Sequence, residues 1–458
     1  MIFPILDRGE NQMSNKLIEE SPSKALIAFS LPLILGNVFQ QLYNMMDSII
    51  VGNYVGPDAL AAVGASSTLT MLFVALATGG SIGASIVISQ LFGAGQYGRM
   101  KTAVNTAVVS FLALSLLLTA IGLMFHRQLL VLLGTPETVI GDAALYLRIY
   151  FYGFVFLFMF NAFNAVFNAL GDSKKPLVFL FICSVMNIGL NMLFVIKYNM
   201  GVGGVAWATF ISQGVSVLLS LPVLVHKLNG LVAQEKPSLF DGGLLLKICR
   251  VAGPSTLQQS VVSIGLICLQ SVVNSFGPSA MAGYTAAGRI DSITILPMAT
   301  MGNAISTFTA QNMGAKRYDR IPKGYVAAIK MVIIIGIAVA ALLYVFGGTL
   351  VGLFVADNLE NAEVIAVGSQ YLRITSAFYF IFGMMCTHTG VLRGAGDMSG
   401  FLAITVFNFS FRVIMAFTLV RALGMSAMAW SNAIGWTIGL ATGFFRFRSG
   451  KWKSKSLV

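Results

Sequence analysis

Six stretches of this chain run without a single Asp, Glu, Lys or Arg: between Asp58 and Arg99, Lys101 and Arg127, Arg148 and Asp172, Arg250 and Arg289, Lys330 and Asp357, and Arg421 and Arg446. Each exceeds the roughly 20 apolar residues that a helix needs to cross about 30 Å of hydrocarbon. The first and fourth gaps are too long for one ordinary span, so their helices are expected to be long or partly covered by protein. Of the 458 residues 57% are hydrophobic and 10% charged, against about 25% charged in a soluble domain. Lipid therefore takes the place of a soluble core.

Apolar runs set against polar breaks predict an all-α polytopic membrane protein with twelve transmembrane helices. They begin near Leu31, Leu60, Ala103, Tyr146, Pro176, Val202, Val251, Ala280, Tyr325, Tyr371, Phe401 and Gly424. The eleventh is the weakest of these, because it carries Arg412. The net charge of +12 follows the loops rather than a basic face with interleaved aromatics, which argues against nucleic acid as a partner. One side collects the N-terminal tail, Arg99 and Lys101, Lys174 and Lys175, the segment from Lys227 to Arg250, Lys316 to Lys330, Arg393, and Arg446 to Lys455. The other collects Arg127, Arg148, Lys197, Arg373 and Arg421. By the positive-inside rule both termini are cytoplasmic, in a multi-pass protein of the cell's inner membrane. The expected divisions are a cytoplasmic segment 1–28, a first lobe 29–226, a cytoplasmic linker 227–249, a second lobe 250–446 and a basic tail 447–458. The N-terminus lacks a signal-peptide pattern. Cys183, Cys249, Cys268 and Cys386 form no CxxC pair, so neither a disulfide framework nor a zinc site is expected.

The chain also repeats itself. Gly56-Pro57 returns as Gly277-Pro278, and Gln90, Gly93, Ala94, Tyr97 and Arg99 return in register as Gln311, Gly314, Ala315, Tyr318 and Arg320. Tyr146-Leu147-Arg148-Ile149 recurs letter for letter as Tyr371-Leu372-Arg373-Ile374, Gly171-Asp172 as Gly396-Asp397, and Ala206-Trp207 as Ala429-Trp430. Matches at Gln, Arg, Asp and Trp do not arise from apolar composition, so duplication is the explanation. Two six-helix lobes of the same orientation imply a pseudo-two-fold axis along the membrane normal, with a substrate cavity between the lobes.

Asp47 is the only carboxylate of the first span. An ionised Asp at mid-membrane costs about 2.5–3.5 kcal/mol on insertion scales, so such residues usually face a cavity and work. Low dielectric favours the protonated form, which suits a proton carrier, whereas bound sodium favours the carboxylate. The alternative is a hydrated Asp near the outer interface beside Asn53. Gln40, Asn44 and Asp47 share one helical face, expected to point inward. Asn187 and Asn191 stack in the fifth span, and Asn161, Asn164 and Asn168 form a stripe in the fourth. These stripes suit either a polar-lined cavity or interhelical hydrogen bonding. Arg289 and Asp291 lie two apart in an apolar region and cannot simply neutralise one another; each needs a partner elsewhere, and Arg412 and His388 are candidates for one network. That network serves structure or binding equally well. No GxSxG, HExxH, P-loop or Rossmann fingerprint occurs, which argues against an enzyme.

From about Ser30 to Phe445 the chain resembles the multidrug and toxic compound extrusion (MATE) family. The resemblance rests on the first span from Pro32 to Gly64 with Asp47, on the paired signatures Gln90-Leu91-Phe92-Gly93-Ala94-Gly95 and Gln311-Asn312-Met313-Gly314-Ala315, and on the fifth and sixth spans. It implies two lobes, alternating access and export driven by inward H+ or Na+, with no other cofactor. It also implies a cation site in the first lobe at Asp47, Asn187, Asn191 and Thr209, with Gln40, Asn161, Asn164 and Asn168 near that cavity. Asn191 departs from the Asp of many relatives, and Gln258 and Gln259 stand in the seventh span where other branches carry an acid.

The expected function is therefore secondary export of small amphipathic organic compounds, cationic because a carboxylate among aromatics attracts them, by a monomeric antiporter in the lipid bilayer. Asp47, with possible Na+ ligation, is expected to couple transport, and Gln40, Asn44, Asn161, Asn164, Asn168, Gln258, Gln259, Arg289 and Asp291 to meet substrate. A flippase of a lipid-linked or polysaccharide precursor is the alternative; twelve spans and a compact linker favour the exporter. Reporter fusions at Lys236 and at the C-terminus should both give cytoplasmic signals, and opposite signals would sink the even-span topology.

Overall fold

The computed structural model describes residues 16–353 and 362–458; residues 1–15 of the expected N-terminal segment lie outside this description. Among the described residues there is no strand. After a single turn at Lys16–Glu19 the first half comprises α1 (Pro22–Tyr54), α2 (Pro57–Gly93), α3 (Tyr97–Leu132), α4 (Glu137–Tyr152), α5 (Phe154–Ala169), α6 (Lys174–Asn191) and α7 (Gly201–Asn229). The second half comprises α8 (Gly242–Asn274), α9 (Pro278–Thr294), α10 (Leu296–Gly314), α11 (Arg320–Gly352), α12 (Ala362–Ser376), α13 (Tyr379–Ala395), α14 (Met398–Leu423) and α15 (Ser426–Arg448).

Eight of these are individually long and apolar enough to cross a membrane, α14 with Arg412 among them. Two bent pairs pass together, α4 with α5 at 49° and α12 with α13 at 52°. The pair α9 and α10, which carries Arg289 and Asp291, and α15 complete twelve spans in two lobes. The bends fall at Gly153 and Phe378, equivalent positions of the repeat, so duplication copied the kink as well as the residues. The helix α1 starts at Pro22, and α7 and α8 leave residues 230–241 as the non-helical link between them.

The repeat also dictates turns. Gly56 at φ +119° and Gly277 at φ +88° precede the first residues of α2 and α9. Such φ values favour glycine, and the proline that follows lacks only an N–H that a helix start leaves unpaired. In each half an Asp after the fourth span pins the end of the sixth: Asp172 pairs with Lys227, and Asp397 takes a two-pronged grip from Arg446 at 2.6 and 2.8 Å. Burial alone would favour neutral Asp397, but the Arg446 fork, Ser399 and the Gly400 N–H hold its carboxyl below the usual carboxylate range.

One large core fills each lobe, and α1 packs against both lobes. Leu26 and Phe29 near its start pack with Met298, Ile305 and Phe308 of the second lobe, whereas Ile50 and Val51 near its end pack with Val195, Val202 and Val205 of the first. The lobes meet most closely at the basic end of the bundle, where α2 and α10 finish. A Cβ on Gly93 would stand 2.0 Å from the Gln311 carbonyl oxygen, and one on Gly314 would stand 1.9 Å from that of Gln90. The two glutamines are buried and act reciprocally: Gln90 Nε2 donates to Gly394 O at 3.0 Å and Gln311 Nε2 to Ala169 O at 2.8 Å. Gly394 and Ala169 are themselves equivalent in the repeat, so the exchange surrounds the pseudo-two-fold axis. The C-terminal tail completes this end. Trp452 lies over Phe447 with rings 5.5 Å apart and nearly parallel, and the Leu457 N–H reaches Gln90 Oε1 at 2.8 Å.

Overpacking a backbone-to-backbone crossing costs roughly 1–3 kcal/mol. Gly314→Val should therefore lower the melting temperature of the purified protein by several degrees, while Gly253→Ala, whose Cβ meets nothing within 4 Å, should leave it unchanged. Equal melting by tryptophan fluorescence would refute the close crossing.

Candidate functional site

In the first lobe three helices bring polar side chains to one point. α1 contributes Asp47, α6 contributes Asn187 and Asn191 one turn apart, and α7 contributes Thr209 and Ser212. Asn191 Nδ2 donates to Asp47 Oδ1 at 2.5 Å and to Asn187 Oδ1 at 2.9 Å. Asn187 Nδ2 in turn reaches Thr209 Oγ1 at 3.3 Å and Ser212 Oγ at 3.5 Å. Both asparagines are fully buried, and the Asn191 side-chain oxygen has no hydrogen-bond partner. Just past Asn191 the helix widens into a π-turn, Met192–Lys197, a distortion frequent at functional sites.

The donor set is therefore one carboxylate with amide and hydroxyl oxygens. Among the described residues no three His, Cys, Asp or Glu converge to hold a metal ion. A single negative charge among neutral oxygens suits a proton or a monovalent hard cation better than a divalent one, which draws more carboxylates.

The other polar residues of the first half do not join this cluster. Gln40 and Asn44 share the face of Asp47 but are exposed, and the Asn44 side-chain amide donates to Gln41 Oε1 at 3.5 Å. Asp47, on the same face, is half-buried. In the asparagine stripe of the fourth span the side chains have separate surroundings. Asn161 returns its amide to Leu157 O on its own helix at 2.8 Å, and Asn168 leaves a buried oxygen without a partner. Helical spacing puts Asn161, Asn164 and Asn168 on one face, and none of them borders the large cavity.

That cavity, about 660 Å³, lies in the second lobe, with only Thr78 and Ile82 of α2 reaching it from the first. Gln258, Gln259, Asp291 and Arg412 border it. Arg289 does not: it is exposed on the other side of α9, as a spacing of two requires. Asp291 accepts a hydrogen bond from the Tyr379 hydroxyl. His388, placed by sequence in the same network, belongs elsewhere. It is buried near the basic end, with Nε2 3.0 Å from the Tyr325 hydroxyl.

Tyr284, Tyr371, Asn408 and Trp436 also border the cavity and escaped the sequence reading. The repeat held the signal for some of them. In the register of Gly171 and Gly396, Asn187 corresponds to Arg412; in that of Ala206 and Ala429, Thr209 corresponds to Asn432; and Tyr146 corresponds to Tyr371. Asn432 Nδ2 donates to the Tyr371 hydroxyl at 2.8 Å. The second-lobe cluster is thus the duplicate of the first, with an arginine where the first has an asparagine.

Comparison with known proteins agrees with this architecture. The MatE family model matches residues 32–193 and 254–418, one segment in each lobe. The chain is 33% identical over 441 residues to the probable multidrug resistance protein YpnP of Bacillus subtilis, covering 95% of this chain and 96% of that protein. It is 29% identical to the probable multidrug resistance protein YoeA of the same organism, with 98% of each chain covered. Among solved structures, the outward-facing conformation of a multidrug resistance MATE family transporter of the MOP superfamily superposes with a TM-score of 0.88 at 27% identity, over 96% of this chain and 98% of that one. Two matched lobes, full-length relatives and a shared fold establish that the chain belongs to the MatE, or multidrug and toxic compound extrusion, family of membrane transporters.

Proposed function

We propose that this protein is a cation-coupled antiporter that exports small amphipathic organic compounds in exchange for H+ or Na+ by alternating access. The observation that carries the proposal is the hydrogen-bonded chain from Asp47 through Asn191 and Asn187 to Thr209, which links α1, α6 and α7 through one carboxylate. The relatives named as multidrug resistance proteins support drug-like substrates, and a carboxylate near aromatic side chains favours those with positive charge. The protein works as a monomer in the cytoplasmic membrane, with the basic end and both termini inside.

The coupling follows from the path of α1. A bound cation moves a conformational equilibrium only through different affinity for the two states. Asp47 sits in the half of α1 that packs on the first lobe, while the other half is built into the second lobe's core. A change of charge at Asp47 alters the hold of α6 on α1 through Asn191, and α1 carries that change to the opposite lobe. An amide in place of the carboxyl keeps the shape and loses the titratable charge.

Asp47→Asn should therefore abolish gradient-driven transport in proteoliposomes under imposed pH or sodium gradients, and its melting temperature should stay close to that of the wild type. Uphill transport by a well-folded Asp47→Asn protein would move coupling to Asp291 and the second lobe.

A further inference from the structure

The second-lobe cavity carries an imbalance of charge that the antiport mechanism does not use. Three ionisable groups of formal charge border it: Asp291, Arg393 and Arg412. Arg393 is buried but satisfied by neutral oxygens, with Nη2 2.7 Å from Asn303 Oδ1 and Nε 3.2 Å from Ser306 Oγ. The Asp291 carboxylate is engaged by the Tyr379 hydroxyl. Arg412 is only 8% exposed, and its Nε has no hydrogen-bond partner. Among the described residues no ion pair includes it. Its guanidinium carbon lies 5.2 Å from the centroid of the Phe409 ring, and Asp291, Tyr284 and Tyr371 are within electrostatic reach without forming an ion pair with it.

A guanidinium offers five N–H donors and is always charged, and a buried charge is retained where something pairs with it. Asp291 does not pair with Arg412 here, and with Asp291 ionised the two arginines still leave a net positive charge at the wall. One turn before Arg412 on the same face, Asn408 is 4% exposed and also leaves its side-chain oxygen without a partner. The walls also include Tyr284, Phe382, Phe409 and Trp436, with Gln258 and Gln259. A volume of about 660 Å³ is that of a site for a drug-sized molecule.

We propose that this cavity is a substrate site that recognises an organic acid group: a carboxylate or sulfonate seats on Arg412, its aromatic or alicyclic body lies among Tyr284, Phe409 and Trp436, and Gln258 and Gln259 meet its polar substituents. The inference rests on the export function proposed above and refines the substrate class. The best substrates for this cavity are zwitterions that join an acid group to the positive charge favoured above, and simple organic cations bind here poorly. The lobes thus divide the work, with the carboxylate of the first lobe handling the coupling cation and the guanidinium of the second handling the substrate's anion.

Binding of 2-naphthoate and its neutral isostere 2-naphthamide to the purified full chain, measured by equilibrium dialysis in nonionic detergent, tests the assignment without any gradient. The wild type should prefer the acid by about tenfold or more, the range of a charge-assisted pair. Arg412→Gln should remove that preference while leaving naphthamide affinity little changed, Arg412→Lys should keep part of it, and Arg289→Gln, off the cavity, should behave as wild type. Equal affinity of the wild type for acid and amide overturns the proposal even if the Arg412 variants fail to fold. So does an Arg412→Gln protein of normal melting temperature that still prefers the acid. A wild type that binds the acid selectively but shows no gradient-driven transport would remove the antiport mechanism and leave this site standing.

Discussion

Hydrocarbon offers no partner to a backbone N–H or C=O, and nearly every feature of this chain follows from that constraint. It requires each crossing segment to satisfy itself as a helix, and it confines most charged side chains to the loops, which creates the long gaps between them. It also raises the stakes for any polar side chain left inside. Asp47, Asn187, Asn191, Asp291 and Arg412 remain at membrane depth because each has a partner, or a cavity in which one can arrive.

Duplication gives the molecule its second organising principle. Gln90 and Gln311 exchange equivalent hydrogen bonds across the axis, Gly93 and Gly314 exchange equivalent close approaches, and the fourth and tenth spans bend at equivalent positions. Symmetry is strict where the lobes meet and relaxed in their polar clusters. The position of Asn187 has become Arg412, and the first-lobe carboxylate Asp47 has Cys268 at the matching place in the second. A scaffold that keeps its joints and varies its pockets can acquire new cargo without relearning how to move.

Much of this was legible in the sequence, and the reasons differ by feature. Spans and lobes were readable because the absence of charge over a membrane's thickness is a strong, local signal; even the eleventh, weakened by Arg412, is a continuous helix. The convergence of Asp47 with Asn187, Asn191 and Thr209 entered through a family resemblance, since spacing alone puts Asn187 and Asn191 on one face without saying which helix they meet. Helical periodicity could not tell that Gln40 and Asn44 stay exposed beside Asp47, because a shared face has no fixed neighbour along its whole length. Nor could it place His388 beside Tyr325 at the basic end, since that depends on which helices meet there. The second-lobe cavity was the larger omission. Its polar wall is assembled from six spans, and only the internal repeat, pushed one step further, would have pointed to Arg412 and Asn432.

One detail at the basic end bears on how the lobes are joined. Gln90 spends its amide nitrogen on Gly394 of the other lobe and its oxygen on the chain's last residues, through the Leu457 N–H and the Ser456 hydroxyl. The bond to Gly394 reaches the second lobe, while Leu457 and Val458 pack against the first lobe's core. One buried side chain therefore fastens three distant parts of the sequence, and the tail serves as packing at the joint as much as a terminus.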